Sequence, residues 1–451
     1  MISIDLIVVL VYLLAMILLG YFRSRGEHLS GFTVNERKTS TIMLMASNLS
    51  TVFGMGSLLG VASEAYRTGI SYGASVLFVV IGSFLLMSWL APKIKRFGDS
   101  TKAQSLADFF LHKYSLKTSV LVAGLTTISF IIGAAIQFVG AASLTKVLIG
   151  ISWETALILS AAVTIIYTVF GGLRNDIATD FIQFWIIIIT FFSMAIIGVF
   201  KYGGVSTITT LPDSYFSFFA YAGPVFFVGS LVLGALGHVG YMDNWQRSYS
   251  GVSDKAVRKA FLGSFGVSLP LYILPILFGL WARTQFPGID AEQAFFVLMK
   301  DMLPVGLLGI GYSAILATAM SSIDSAIVVV SICLTNDFYH RLIKPHAQEH
   351  VLLGKARLFA VCGSILALGI AYLFPNIAGL SILSLLITLV FVPAILGGFV
   401  WKRANAKAAF LSVLLGAIVL AVAWFTIGNN AWLPSFLTSV IVFVAGSMLA
   451  K

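Results

Sequence analysis

The chain has 451 residues, of which 59% are hydrophobic and only 10% are charged, and its formal net charge is +10. A soluble globular domain carries about 25% charged residues, so this composition excludes an ordinary soluble protein. Apolar stretches of about 20 residues, the length that crosses a bilayer, recur along the whole chain. They predict an all-α polytopic membrane protein with one membrane domain, 1–451.

In chain order, the apolar stretches predict about thirteen transmembrane helices. Their expected ranges are 3–22, 41–61, 71–92, 118–148, 154–170, 177–200, 222–241, 260–281, 304–334, 358–374, 380–400, 408–427 and 433–450. The first stretch lacks a basic start and a small-residue cleavage site, so we expect an uncleaved helix. Cys333 and Cys362 fall within predicted spans and indicate neither a disulfide framework nor a redox role.

The basic residues are distributed unevenly between the predicted loops. With the N-terminus outside, five of them lie on the external side: Arg67, Lys146, Lys201, Arg283 and Lys300. All others, including Arg247 and Lys451, are assigned to the cytoplasmic side. The positive-inside rule therefore predicts a plasma (inner) membrane protein with an external N-terminus and a cytoplasmic C-terminus. Basic loops beside an anionic leaflet explain the net charge without nucleic-acid binding.

Two predicted spans contain glycine-rich interruptions. The second span has the polar sequence ASNLST at 46–51 followed by three glycines, and the seventh has four glycines and His238 between 229 and 240. Breaks five helices apart are expected when two inverted five-helix repeats each begin with a discontinuous helix. We therefore predict repeats at 41–200 and 222–400, a peripheral helix at 3–22, two C-terminal helices at 408–450, and a binding site between the breaks. Glycines that serve only helix packing are the alternative.

The ninth predicted span carries polar side chains in an apolar helix: Ser321, Ser322, Asp324 and Ser325. A hard cation prefers hydroxyl and carbonyl oxygens, and an interrupted helix could release the carbonyls of Ala46 and Leu49. Together with the first two serines they predict a sodium site, whereas hydrogen bonds to the preceding turn are the structural alternative. A buried aspartate favours function, because a carboxylate at the helix centre costs roughly 2.5–3.5 kcal/mol on insertion scales.

Two further residues allow a functional and a structural interpretation. Asp180, at the start of the sixth span, is either a second acid in an ion pathway or a helix N-terminal acid beside a loop. His238 is either a proton relay or a hydrogen-bonded structural residue. The chain shows no histidine spacing typical of metal ligands, no Walker loop and no nucleophile–base set, so we predict no metal beyond sodium, no ATP-driven transport and no enzyme.

Four segments together resemble the sodium:solute symporter family, which includes proline permease and the sodium/glucose cotransporters. They are GFTVNER at 31–37, ASNLS at 46–50, GGLR at 171–174 with TDFIQ at 179–183, and ATAMSSIDS at 317–325. The resemblance implies two inverted five-helix repeats of the LeuT-like kind. It also implies sodium ligands at the backbone carbonyls of Ala46, Leu49 and Thr318 and at the hydroxyls of Ser321 and Ser322.

The resemblance further implies a second cation site in some relatives. Its positions correspond to Asp180, Ser321, Asp324 and Ser325 here, with an acid at 324 where those relatives carry a hydroxyl residue. We therefore regard Asp180, Asp324 and Ser325 as ligands of a second sodium ion or of a proton.

The family's solute pocket lies between the broken helices, which places six side chains near it: Ser50, Phe53, Tyr72, Gln137, His238 and Tyr241. The helix at 118–148 has no arginine, unlike sialic-acid transporters, where an arginine in that helix holds the carboxylate. We expect sodium-coupled import of a small polar organic solute, such as an amino acid, sugar, vitamin or monocarboxylate, by alternating access. The alternatives are a proton-coupled permease that uses Asp180, Asp324 or His238, and, more remotely, a transporter-like solute sensor.

Overall fold

The computed structural model describes residues 3–23, 25, 28–168 and 172–449, and most of them are helical. The α-helices are α1 Ile4–Arg23, α2 Leu29–Val34, α3 Thr41–Val52, α4 Val61–Thr68, α5 Ile70–Thr101, α6 Leu106–Lys113, α7 Leu116–Ile149, α8 Trp153–Thr168, α9 Leu173–Tyr202, α10 Val205–Ile208, α11 Gly223–Gly229, α12 Ala235–Gly237, α13 Met242–Ser250, α14 Asp254–Gln285, α15 Ala294–Met302, α16 Leu307–Ile332, α17 Glu349–Leu373, α18 Ile377–Leu389, α19 Val392–Val400, α20 Ala406–Ile427 and α21 Trp432–Leu449. Three π-helical segments occur, at Gly56–Gly60, Ser230–Gly234 and Cys333–Ile343. The predicted span ends at Phe170 and Ala450, and Lys451, lie outside the described residues.

The helical membrane fold is confirmed, but the number of thirteen spans is not. In the described ranges nine helices are long and apolar enough to cross a bilayer, or ten if the bent pair Thr41–Val52 and Gly56–Thr68 is one span. Three regions account for the smaller number. Helix α8 is short, and the predicted span 222–241 is divided into short pieces. The two predicted spans at 408–427 and 433–450 are counted as one apolar stretch, Ala406–Leu449.

Helix α16 lies at the centre of the bundle. In its most apolar window 94% of the residues are buried, compared with 28% for α1 and for the stretch Ala406–Leu449. It packs against α3, α7, α9 and α17, and α1 covers it from outside. The polar residues of α16 therefore face protein and not lipid, as membrane helices require of such side chains.

Both predicted interruptions are present as breaks in the helices. Helix α3 ends at Val52, and the chain bends by 56° before it continues from Gly56. The second interruption ends in a 3-10 turn, His238–Gly240, and an extended Tyr241 before α13 begins. A Cβ on Gly240 would lie 2.4 Å from the Thr388 carbonyl oxygen, so only glycine allows this break to pack against α18.

A buried carboxylate joins the peripheral helix α1 to the start of α16. Asp5 Oδ1 accepts the backbone N–H groups of Gly306 at 2.7 Å and Gly309 at 2.8 Å. These donors have no acceptor within their own helix, and the helix dipole favours an anion at this end. Asp5 thus fixes where the central helix begins.

Replacing Asp5 with alanine is expected to lower the free energy of unfolding by about 1.5–3 kcal/mol, because it removes hydrogen bonds to a charged group. Thermal unfolding of the purified protein in detergent measures this change. Asp213→Ala removes an exposed carboxylate and is the matched control. Equal melting temperatures for the two variants would contradict the assigned role of Asp5.

Candidate ion and solute site

Two neighbouring serine hydroxyls of α16 lie against the first break. Ser321 Oγ donates to the Ser50 carbonyl at 2.9 Å, and Ser322 Oγ donates to the Thr51 carbonyl at 2.8 Å. Both hydroxyls also lie within hydrogen-bond distance of the Thr318 carbonyl, at 3.2 and 3.1 Å. The serines therefore connect α16 to α3 and do not only bond to the preceding turn. The result is a buried group of oxygen atoms from two helices.

The break lies later in the chain than the sequence suggested. The Leu49 carbonyl still accepts the Phe53 N–H at 2.9 Å, and Ala46 lies within the regular part of α3. Residues 53–55 interrupt the helix instead of 46–49, since the helix-disfavouring glycines begin at Gly54. Ala46 and Leu49 are fully buried, and a carbonyl oxygen that accepts one hydrogen bond keeps a second lone pair.

Gly54 permits the close approach of the broken helix to its neighbours. A Cβ at this position would lie 2.5 Å from Ser322 Oγ and 2.9 Å from Gln137 Nε2. Gln137 Oε1 in turn accepts the Met55 N–H at 2.8 Å. This bond satisfies a backbone donor that the break leaves without an acceptor in its own helix. Gln137 therefore stabilises the break in addition to bordering the cavity.

A cavity of about 230 Å³ lies between the two breaks. Four of the six side chains expected at the solute site line it: Tyr72, Gln137, His238 and Tyr241. The other two do not. Ser50 Oγ donates to the Ser47 carbonyl at 3.3 Å, and the Phe53 ring is fully buried against Tyr272. Both side chains are buried and belong to the packed interior.

The cavity wall is mainly apolar with isolated hydrogen-bonding groups. Among the described residues that line it none is a lysine or an arginine, and Asp243 contributes the carboxylate. Hydroxyls come from Ser381 and Ser384, and Ser384 Oγ lies 2.9 Å from the Tyr241 hydroxyl. A pocket of this kind orients a small solute through a few polar contacts.

The second break is held by side chains that satisfy its backbone carbonyls. Thr388 Oγ1 donates to the Gly237 carbonyl at 2.9 Å, and Asn244 Nδ2 donates to the His238 carbonyl at 3.0 Å. Trp245 Nε1 donates to the next carbonyl, that of Val239, at 2.8 Å. The His238 ring stacks on Tyr241 with ring centres 4.9 Å apart. These contacts fix both aromatic side chains at the cavity wall.

The two ends of the cavity differ. One end is bordered by Asn429 and Trp432, which belong to the C-terminal helices. Arg37 lies just before the start of α3, at the end of that helix remote from the break. It donates to the Ala103 carbonyl at 2.8 Å and pairs with Asp99 at 3.4 Å. Thr39 there forms backbone hydrogen bonds with residues 250 and 252. The Arg37 end of the bundle is therefore closed by contacts between segments distant in sequence.

A buried cluster around Arg247 was not recognised in the sequence. Arg247 is assigned above to a cytoplasmic loop, but its side chain is only 1% exposed, which corrects that assignment. The guanidinium pairs with Asp243 at 3.2 Å, Asp180 at 3.3 Å and Asp176 at 3.8 Å. Residues 243 and 247 are four positions apart, as are residues 176 and 180, so each pair lies on one helix face. This spacing was the available sign of the cluster in the sequence.

Hydroxyl groups from α3 and α16 complete the Arg247 cluster. Arg247 donates to Ser47 Oγ at 2.9 Å, to Ser325 Oγ at 2.7 Å and to Thr51 Oγ1. Ser47 and Thr51 also donate to Asp180 Oδ2. The cluster therefore joins four helices, α3, α9, α13 and α16, through seven residues: Ser47, Thr51, Asp176, Asp180, Asp243, Arg247 and Ser325.

The acidic residues named from the sequence lie in this region. Asp180 is fully buried in the third turn of α9, which begins at Leu173, so it is not an acid at the helix N-terminus beside a loop, and its Oδ1 atom has no hydrogen-bond partner in the described chain. Asp324 is 4% exposed and directly precedes Ser325 of the cluster on α16. Ser325 Oγ lies 3.0 Å from Asp176. The three expected residues are thus accompanied by two acids and an arginine.

Two of the sequence segments that carry the resemblance also meet in the fold. A Cβ on Gly172 would lie 2.5 Å from the Phe32 backbone, so the segment at 31–37 packs directly on the start of α9. Gly171, the first residue of its segment, lies outside the described residues.

A model of the sodium:solute symporter family matches residues 32–416, and the chain belongs to this family. The chain is 26% identical to the sodium/pantothenate symporter of Haemophilus influenzae, over 100% of this chain and 96% of that protein. It is 27% identical to a sodium/proline symporter of Staphylococcus aureus, over 99% and 92%. These relatives are transporters, as expected from the absence of a catalytic set in the sequence.

Solved structures share the fold. A sodium-coupled sialic acid symporter in a substrate-bound outward-open state superimposes with a TM-score of 0.86 at 20% identity, covering 99% of this chain and 98% of that one. A nucleobase-cation-symport-1 family transporter in a closed conformation gives 0.61 at 12% identity, with 92% and 93% covered. The fold is therefore the LeuT-like symporter fold, and the family supports sodium-coupled symport by a multi-pass membrane protein.

Proposed function

We propose that this protein is a secondary active symporter that imports a small polar organic solute together with sodium by alternating access. The observation that carries the proposal is the pair of hydroxyls, Ser321 and Ser322, held against the carbonyls of a broken helix. An ion shared by oxygen atoms of two helices stabilises the conformation in which those helices lie together.

The proposed sodium ligands are the carbonyls of Ala46, Leu49 and Thr318 and the hydroxyls of Ser321 and Ser322. All are buried oxygen donors, which suits a hard monovalent cation. A bound ion would add an attraction between α3 and α16 where hydrogen bonds already join them. The membrane potential then contributes about 2.3 kcal/mol per transported charge for each 100 mV.

We propose a neutral or zwitterionic solute for the cavity between the breaks. The lining has hydroxyl, amide and imidazole groups and the Asp243 carboxylate, and it contains no lysine or arginine among the described residues, so neutral donors would hold any solute carboxylate. Proline, the cargo named for one relative, is a zwitterion and fits this description, whereas pantothenate, named for another, is a carboxylate anion that neutral donors alone would have to hold. Tyr72, Gln137, His238 and Tyr241 are the proposed contacts.

We further propose that the Asn429 end of the cavity faces outward and the Arg37 end faces the cytoplasm, with the N-terminus outside. The repeats would be 41–200 and 222–400, with α1 and the two C-terminal helices outside them. In this orientation the closed contacts of Arg37 correspond to an outward-facing state.

A second candidate function is proton-coupled transport. Its support is the excess of carboxylates in the Arg247 cluster, where three aspartates surround one guanidinium and the buried Asp324 directly precedes Ser325 of the cluster. In this mechanism Asp180, Asp324 and Ser325 would serve a proton in place of the second sodium ion considered above. Uptake driven by a pH gradient in sodium-free buffer would favour this alternative.

The first experiment is thermal unfolding of the purified protein in sodium or choline buffer with a panel that includes proline, pantothenate, sugars and short carboxylates. A ligand stabilises the native state by RT ln(1 + [L]/Kd), about 2.7 kcal/mol at 100 times its Kd. A solute that stabilises only with sodium present supports coupled symport. Equal stabilisation in sodium and choline by every active solute would overturn it.

A further inference from the structure

Two helices present apolar stripes to the cavity between the breaks. On α5 the lining residues recur every three or four positions, which places them on one helix face: Tyr72, Val76, Val79 and Val80. On α18 the same spacing is formed by Ile382, Leu385, Leu386 and Leu389. The second break packs against both stripes. A Cβ on Gly234 would lie 2.2 Å from Val79, and a Cβ on Gly237 would lie 2.6 Å from Leu385.

A cluster of hydrogen-bonding groups in the cavity wall lies at the first break. Ser322 Oγ and the Gln137 amide both lie within 3.0 Å of the place that a Cβ on Gly54 would take. Thr51 Oγ1 lies 3.1 Å from Ser325 Oγ, and Ser322 Oγ donates to the Thr51 carbonyl. All four polar side chains line the cavity. The first break is therefore a polar region of its wall.

Several hydroxyls elsewhere in the wall are already bonded within their own helices. Ser75, Ser230 and Ser381 donate to carbonyls three or four residues earlier, at 3.1, 2.7 and 2.8 Å. A hydroxyl has one proton to donate, so these serines have none left for a solute. The surface near the stripes is therefore more apolar than its serine content suggests.

Aromatic rings extend the apolar surface to the Asn429 end of the cavity. Phe226 of α11 and Trp432 of α21 both line this space. The Trp432 ring fits against Gly229, where a Cβ would lie 2.3 Å from it. The last helix of the chain, outside the two proposed repeats, thus supplies part of the solute cavity.

We infer that the solute is a zwitterion with an apolar side chain, of which an amino acid with an alkyl side chain is the simplest form. The inference rests on the proposed solute-binding role of the cavity. The polar head lies at the first break, and the side chain lies between the stripes of α5 and α18. Among the described lining residues the Asp243 carboxylate is the one charged group, so a solute with an ammonium group is preferred over an anion.

A series of amino acids with lengthening side chains tests this inference on the purified full-length protein. Alanine, 2-aminobutyrate, norvaline and norleucine differ by one methylene at each step, and thermal stability in sodium buffer measures their apparent affinities. Each methylene that leaves water should raise affinity about fourfold, or about 50-fold over the three steps. Threonine should bind about fivefold or more weakly than valine, because the two have nearly the same shape and the hydroxyl would meet an apolar wall.

A variant of the α5 stripe locates the side chain. Val76→Thr places a hydroxyl in the stripe at nearly constant volume and should reduce the affinity ratio of norleucine to alanine about fivefold. Val225→Thr is the matched control, since Val225 is 50% exposed and lies beside Phe226 without lining the cavity. It should keep the wild-type ratio.

The outcomes separate this inference from the proposed symport. Affinity that stays level or falls from alanine to norleucine, or no binding by any member of the series, would overturn the apolar solute. Sodium-dependent stabilisation by a sugar would then leave the proposed symport intact. Affinity that rises along the series equally in sodium and in choline would support the apolar pocket and refute the sodium coupling.

Discussion

The double variant Ser321→Ala/Ser322→Ala is expected to lose sodium dependence completely while remaining folded. It removes both hydroxyls of the proposed ion site and their hydrogen bonds to the Ser50 and Thr51 carbonyls. The remaining carbonyl ligands belong to α3 and to the Thr318 turn, and without the hydroxyls they cannot complete the shell of oxygens that a hard cation requires. Wild-type protein at a sodium concentration 100 times its Kd should gain about 2.7 kcal/mol of stability over choline, and the variant should gain none.

The measurement is the difference in melting temperature between sodium and choline buffers, followed by uptake of any solute found in the stability screen. The matched control is Ser313→Ala/Ser331→Ala, which removes two buried hydroxyls of α16 that bond to the Gly309 and Ala356 carbonyls. The control should keep its sodium response. A full sodium response in the Ser321→Ala/Ser322→Ala protein would rule out the proposed site.

Gly54→Ala is the second variant with a large expected effect. The added methyl group would lie 2.5 Å from Ser322 Oγ and 2.9 Å from Gln137 Nε2, so the break must move away from α16 and α7. This displaces a proposed sodium ligand and the group that accepts the Met55 N–H. Changes in groups that position metal ligands typically reduce affinity by 10- to 100-fold, and we expect a loss of sodium affinity of about this size.

Sodium titrations of thermal stability measure the apparent affinity of the Gly54→Ala protein. Gly124→Ala is the matched control, because the nearest atom to its added Cβ, in Phe338, is 3.8 Å away and ordinary packing is kept. Unchanged sodium affinity in Gly54→Ala would show that the close approach of the break to Ser322 is not needed for ion binding.

The chemistry of the candidate ion site could be read largely from the sequence. Polar side chains inside an apolar helix are costly in a membrane, so Ser321, Ser322 and Asp324 stand out against their neighbours. Gly54 and Gly240 likewise mark breaks, because glycine disfavours helix continuation and permits close backbone contact. The position of the first break was predicted too early, since polar residues 46–51 were taken as its centre although they form a regular helix.

The sequence could not reveal the Arg247 cluster. The pair 176 and 180, the pair 243 and 247, and residue 325 come from three stretches far apart in the chain, and an arginine between two predicted spans is most simply assigned to a loop. Only the packing of α13 against α3, α9 and α16 shows that its charge is buried and paired. For the same reason the sequence placed Ser50 and Phe53 at the cavity, whereas packing places them in the interior.

The sequence by itself determined the membrane class, the helical architecture, the two breaks and the family resemblance. These follow from composition, from apolar length and from local residue preferences, which act over short stretches of chain. Tertiary structure alone decided which carbonyls the serines contact, which side chains border the cavity and which aspartates pair with the buried Arg247. Those features depend on contacts between helices distant in sequence, where distances of a few ångströms determine whether oxygen atoms can share an ion.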